Sequence, residues 1–241
     1  MRLRGRIENV LDAAKAKSQR SGENPARWRG HLDQLLPKRQ RLTRGHHVAL
    51  PYDEVPTFME ELRGRSAVAA RALEFTILTA CRTSEVLGAT WGEIDVEKNF
   101  WTIPASRMKA AREHRVPLSP RCLEIVEAMR KKGTDGFIFP GPKLKEPLST
   151  MAMAMLLRRM KAEITVHGFR SSFRDWASET TGFPHEVCEM ALAHTIVNKA
   201  EAAYRRGDLF EKRHKLMEAW AGYCATPKAA KVVQLHKRAL A

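Results

Sequence analysis

A mainly α-helical chain carrying a small three-stranded antiparallel β-sheet, an α+β architecture, is predicted by three features of this sequence. Apolar residues recur at helical spacing through most of its length, as in Leu73, Ile77 and Ala80 or Leu216, Met217, Trp220 and Tyr223. One stretch, residues 93–118, changes to short β-branched and aromatic runs set off by turns. At 241 residues, 44% hydrophobic and 29% charged, the chain can bury one good core.

Taken in order, Leu3, Ile7, Val10 and Leu11 predict a helix over about residues 4–18. Asn24-Pro25 reads as an N-cap with proline in the first turn, restarting a helix whose apolar face is Trp28, Leu32, Leu35 and Leu36. Residues 37–50, PKRQRLTRGHHVAL, are basic and irregular, a linker that either crosses a phosphate backbone or is simply solvated. Helices follow over 53–63 and 66–80, the second ending at Cys81-Arg82, where Thr83-Ser84-Glu85 begins a short new turn.

Strands are expected at 94–96, 100–103 and 114–118, with Lys109 in the connection between the last two. Helices resume at 119–131, and FIFP at 137–140 is a short extended piece. A basic loop at 142–147 carries Lys143 and Lys145. The methionine-rich helix at 149–163 reads as gap-filling core rather than a cofactor box. Further helices are expected at 167–179, at 184–193, from Asn198 (with Glu201 completing a capping box) and at 209–224. The tail, 227–241, is basic and expected to be loosely attached.

Lys and Arg number 42 against 27 Asp and Glu, a formal charge of +15. Such an excess points to a polyanionic partner, most often nucleic acid, although other basic proteins share it. The four cysteines, Cys81, Cys122, Cys188 and Cys224, lie too far apart for a CxxC knuckle or redox pair, and read as reduced, mostly buried thiols. The start, MRLRGRIENVL, lacks the apolar core of a signal peptide, and the longest apolar run, Met151 to Leu157, is too short to cross a bilayer. A cytosolic location is the expectation, with no membrane partner.

The chemistry gathers around HTIVNKAEAAYRR, residues 194–206, where His194 precedes a helix carrying Tyr204 between small alanines and Arg205 and Arg206. A tyrosine on an amphipathic helix is more often a core residue. Upstream, however, stand Arg82 in ACRTSEV, Lys109 in RMKAAREHRVPLS, and His167 and Arg170 in HGFR. Suppose the target is a phosphodiester. A tyrosine hydroxyl, ordinarily titrating near about 10, must lose its proton as it attacks phosphorus. Charge grows on the non-bridging oxygens, which two planar guanidiniums hold well. The leaving 5′-oxygen needs a proton from a lysine or histidine. Arg82 and Arg170 supply the forks, Lys109 the proton, and His167 and His194 two imidazoles, so that no metal or other cofactor is called for. Each has a plain alternative: a salt bridge from Arg82 to Glu85, a solvated hairpin lysine, a capping histidine.

In combination these phrases, with NPARWRGHLDQLLP, LPYDEVPTFMEEL, TACRTSEVLGATWGEID, HGFRSSFRDWASE, LAHTIVNKAEAAYRR and LMEAWAGYC, resemble the catalytic domain of tyrosine recombinases, specifically phage and genomic-island integrases of the P4-like group. The likeness runs from residue 1 to about 225. It implies the recombinase catalytic fold and site-specific cutting and rejoining of double-stranded DNA at attachment sites, without metal or ATP. Tyr204 would form a 3′-phosphotyrosyl link, Arg82 and Arg170 would clamp the phosphate, Lys109 would be the general acid, His167 and His194 the two histidines, and Glu85 the support of Arg82. Arg112, Arg115, Lys143, Lys145, Arg205 and Arg206 are the expected DNA contacts. The resemblance implies a tetramer on DNA and a monomer free in solution.

Such integrases carry an arm-binding and a helical core-binding domain first, so residues 1–36 are expected to be the last part of a core-binding domain. The linker is then 37–50, the catalytic domain 51–226 and the tail 227–241. Three other readings compete. Nicking and resealing of the type IB topoisomerase kind shares the chemistry, and a truncated non-catalytic DNA binder shares the charge. A metal-dependent nuclease would need clustered carboxylates, which do not stand out.

Overall fold

A computed structural model describes residues 2–36, 48–131, 133, 136–143, 145–194 and 207–226. The chain divides into two compact units, Met1–His46 and His47–Ala241.

In the first unit α1 spans Arg2–Ala16. The helix expected from Asn24-Pro25 does not form. Asn24 is instead buried, its Oδ1 accepting from the Ala26 N–H at 2.9 Å, a tight turn closed by the side chain. Its Nδ2 donates to the Glu8 carbonyl at 2.8 Å and to Asp12 at 2.7 Å, which staples that turn to α1. Only short helical turns follow, Trp28–Leu32 and Asp33–Leu35, broken by extended Arg29 and by Gly30 at φ +71. Leu35 and Leu36 are 69% and 48% exposed and form no buried face here, contrary to the helical reading.

In the second unit the helices are α2 (Val55–Arg63), α3 (Val68–Thr79), α4 (Thr83–Leu87), α5 (Pro120–Arg130), α6 (Ala152–Arg159), α7 (Gly168–Thr180), α8 (His185–Ala191) and α9 (Phe210–Ala225). The strands are β1 (Ile94–Asp95), β2 (Phe100–Ile103) and β3 (His114–Pro117), paired antiparallel in the order β1-β2-β3, the expected meander. Trp101 pairs with Val116 and Ile103 with His114, so alternate residues of β2 turn into the core and Trp101 reaches Phe75 of α3.

Helix α3 is the axis. Ala70 and every residue from Ala72 to Thr79 are buried, and α2, α4, α5, α6, α7 and α9 pack around it. Its polar residues are satisfied internally, since the Thr76 and Thr79 hydroxyls donate to the carbonyls four residues back. Glu74, wholly buried, meets Arg63, Arg71 and Arg121 at 2.7–2.8 Å. Ala80 ends the helix at φ +51, one residue before the expected stop.

The methionine helix is shorter than its periodicity suggests. Lys161 turns left-handed at φ +57, and of its methionines Met153 is buried whereas Met151 and Met155 are exposed. Helix α9 docks through Trp220, whose ring centroid sits 4.9 Å from that of Trp176 and whose indole N–H donates to the Ile77 carbonyl at 2.9 Å. All four cysteines are buried and unbridged, and burial pushes the Cys81 and Cys122 thiols up to about 12. Among the described residues no helix is long and apolar enough to cross a membrane.

Candidate active site

The site is built where the end of α3, the start of α7 and the segment after α8 converge. Gly168 opens α7, and a Cβ there would meet the Val48 carbonyl oxygen at 2.3 Å, so residues 48–49 can lie across the helix start only because glycine has no side chain. The Thr165 N–H donates to that same carbonyl at 3.0 Å and the Ser172 hydroxyl donates to the Leu50 carbonyl, fixing this crossing. Two residues into the helix, Arg170 is therefore held rigidly and is 6% exposed.

Arg170 donates from Nη1 to the carbonyl of Ala80, which the left-handed turn of that residue presents, and from Nη2 to the Leu192 carbonyl at 2.6 Å. Burial first, and then the neighbouring Arg82 charge, push the Arg170 guanidinium below its ordinary value. Arg82 lies at the start of α4, its Nη1 donating to Glu85 at 2.8 Å, while the other carboxylate oxygen of Glu85 accepts the Arg82 backbone N–H at 2.8 Å. The plain alternative for Arg82, a salt bridge, is thus present. It orients the fork without occupying all of it. Glu85 is itself buried, and Arg107 donates to its carbonyl at 2.8 Å.

His194 follows α8. Its Nε2 faces Nη2 of Arg170 at 3.3 Å and its Nδ1 faces Glu189 at 2.7 Å. Guanidinium can only donate and carboxylate only accept, so the proton sits on Nδ1 and Nε2 is the acceptor. Glu189 also takes Arg174 Nε at 2.6 Å. Partial burial opposes ionisation of Glu189, but these hydrogen bonds hold its carboxyl below the usual range.

Arg82, Arg170 and His194, with Glu85 and Glu189 behind them, are therefore brought together. His167 is exposed at the cap of α7, with its carbonyl accepting the Arg170 N–H at 3.1 Å. Lys109 is exposed in the turn between β2 and β3, and Arg112 is exposed close by in sequence. Lys143 and Lys145 lie on the exposed loop, Lys143 3.8 Å from Glu146. Arg115 is engaged within the chain, its Nε and Nη2 on Asp208 at 3.0 and 2.8 Å. Tyr204, Arg205, Arg206 and the helix expected from Asn198 lie outside the described residues. Among the described residues no three His, Cys, Asp or Glu side chains group as a metal site requires.

Glu189, Arg174, His114, Asp208 and Arg213 are not found by sequence reasoning. Glu189 carries a signal, five residues ahead of His194, but one visible only once the end of α8 brings the two together. His114, on β3, is driven down to about 4, first by burial and then by the Arg213 charge.

Two guanidiniums side by side, one buried and one half-buried, with an imidazole fixing the first, present donors of the kind a tetrahedral oxyanion accepts from. A sequence profile of the phage integrase family matches residues 49–209. The chain is 36% identical over 190 residues to prophage integrase IntA of Escherichia coli (strain K12), covering 76% of this chain and 46% of that protein. It is 31% identical over 199 residues to the integrase of Enterobacteria phage P4, covering 74% and 45%. The chain thus spans about half the length of these curated relatives. In fold it is similar to a lambda integrase tetramer bound to a Holliday junction, with a TM-score of 0.55 at 16% identity, over 85% of this chain and 60% of that one. With more than half of its length inside the profile and its site residues in the matched span, this chain belongs to the phage integrase family.

Proposed function

We propose that this chain is the catalytic part of a site-specific DNA recombinase that cuts and rejoins double-stranded DNA through a 3′-phosphotyrosyl intermediate. The observation that carries the reading is Arg170, buried and pinned at Ala80, Leu192 and His194 with Arg82 beside it. A guanidinium held in place before substrate arrives costs nothing to reorganise when charge develops, the arrangement that lowers barriers most.

In this scheme the Tyr204 oxygen gives up its proton to solvent and bonds to phosphorus as the phosphorus–5′-oxygen bond breaks. Lys109 gives its proton to the departing 5′-oxygen, which leaves as a hydroxyl. Arg82 and Arg170 hold the non-bridging oxygens, His194 keeps the Arg170 fork in place through its Nε2, and His167 stands at the start of the helix that carries Arg170. Reversal by a 5′-hydroxyl of another strand restores the tyrosine and completes the exchange without an outside energy source. Arg112, Lys143, Lys145, Arg205 and Arg206 would meet the phosphate backbone, and assembly to a tetramer on DNA from a monomer in solution fits this function. Residues 1–36 would belong to a core-binding domain and 51–226 to the catalytic domain, joined by the basic 37–50 linker, with 227–241 as the tail.

The test is covalent capture. The chain is mixed, in excess chelator, with nicked suicide duplexes randomised around the nick, and an adduct that survives SDS is sought. An adduct from the parent and none from Tyr204→Phe is expected. No adduct from the parent, or an equal one from Tyr204→Phe, overturns the reading.

A further inference from the structure

Arg213 is 1% exposed in a chain whose net charge is +15, so its guanidinium must be answered from within. It is: Nε donates to the Asp208 carbonyl at 2.7 Å, Nη2 to the Asp208 carboxylate at 2.9 Å, and Nη1 to the Arg115 carbonyl. Arg115 returns two donors to the same Asp208 oxygen, at 3.0 and 2.8 Å. The remaining oxygen of Asp208 accepts the Phe210 N–H at 3.2 Å, at the start of α9. Phe210 itself lies under the Arg115 guanidinium at 4.7 Å and against the edge of Phe100 on β2 at 5.9 Å. Residues 208–213 are thus clasped to β2 and β3 by a carboxylate between two guanidiniums, with 93 positions separating Arg115 from Asp208.

The clasp's place matters more than its strength. Asp208 comes four residues after Tyr204, and an extended chain spans at most about 3.6 Å per residue, so the tyrosine is tethered within about 14 Å of Asp208. Arg115 stands on the strand that leaves the Lys109 turn. We propose that Arg115, Asp208 and Arg213 form a positioning clasp that fixes the chain following the nucleophile, with Asp208 its central positioning residue. This rests on the functional reading above. It also reassigns Arg115, which the sequence suggests as a DNA contact, to an internal role.

The two roles of Arg115 make opposite predictions. If Arg115 grips a phosphate, replacing it flattens the salt dependence of DNA binding by nearly one unit of slope. A clasp residue leaves affinity and slope alone and slows the chemical step, since misplacement by about 1 Å can cost on the order of a hundredfold.

The experiment measures single-turnover cleavage of a captured suicide duplex at saturating protein, and binding against salt, for the parent, Asp208→Asn and Arg115→Gln. Asp208→Asn should cleave about 10–100-fold more slowly with parental affinity and salt slope. Substituting sulfur for the 5′-bridging oxygen, which removes the need for a general acid, should leave it slow. Arg115→Gln retains the Arg213–Asp208 pair and, at a half-exposed position, keeps the protein folded should Asp208→Asn not fold. It should be slowed about 3–10-fold.

A parental cleavage rate in both variants, a flattened salt slope, or full rescue by the sulfur leaving group would overturn the clasp. A parent that forms no adduct would overturn the functional reading, and the positioning role with it. An active parent beside variants of equal rate would sink the clasp alone.

Discussion

The carboxylate of Glu189 accepts the Nδ1 proton of His194 at 2.7 Å, which leaves Nε2 of the imidazole facing Arg170. Removing that carboxylate frees the ring to flip or to change tautomer. Glu189→Ala should therefore slow cleavage about tenfold, the scale of one orienting hydrogen bond, whereas Glu189→Gln, whose amide oxygen still accepts, should stay within about threefold. Because the Glu189 carboxyl is held below the usual range, its stabilising contribution is present above about 4.3 and lost as pH falls below its lowered value. Single-turnover rates for the two variants check this, and parental activity in Glu189→Ala would show that the orientation is immaterial.

Lys109 is exposed in the β2–β3 turn, so its replacement disturbs little packing. Lys109→Ala should lose about 10²–10³-fold in cleavage of an ordinary duplex. A duplex with a 5′-bridging sulfur, a better leaving group, should restore it to within about tenfold of the parent. Absence of rescue would remove Lys109 from the general-acid role.

His114 gives a pH signature of folding. Its folded value is depressed to about 4, first by burial, against about 6.5 when unfolded. Between those values the unfolded chain binds the extra proton, so stability rises with pH across that window and is fully present above about 6.5. His114→Gln should remove about 2–3 kcal/mol of the difference in unfolding free energy between about pH 7 and about pH 4.5. Urea melts at the two pH values measure it, and an unchanged difference would place the proton uptake elsewhere.

Glu74 is the structural counterpart, a carboxylate with no exposure shared among Arg63, Arg71 and Arg121. Glu74→Ala leaves those arginines crowded without their counter-charge and should cost about 3–5 kcal/mol in urea denaturation. Burial opposes its ionisation, but Arg121 and Arg63 hold its carboxyl below the usual range, so its contribution is present above about 4.3 and lost as pH falls through its lowered value. A loss below about 1 kcal/mol, the scale of an exposed pair, would mean the cluster is solvated in the folded state.

Much of this molecule is legible in residue order because the relevant physics is local. Period and turn chemistry predict the α3 and α9 stripes and the β-meander, whose three strands pair in the expected order. Local signals fail where a longer contact overrides them. Asn24 reads as a helix cap, yet its amide reaches Glu8 and Asp12 across the turn and spends its hydrogen bonds there. Arg115 reads as one more surface cation, yet Asp208, 93 positions later in the chain, neutralises it.

By itself the sequence determined the helical class, the small sheet, the basic character and the residue types suited to holding a phosphodiester, since each follows from spacing or composition. Tertiary structure alone decided which cations converge. Arg82 and Arg170 meet because Ala80 turns its carbonyl toward one while the chain delivers the other two residues later, and because Gly168 lets residues 48–49 lock the start of α7. It also decided which carboxylates stand behind them, with Glu189 on His194 and Asp208 between Arg115 and Arg213. Pairings such as Arg115 with Asp208 and Arg170 with Ala80 join segments about ninety positions apart, and close packing around one buried helix sets them.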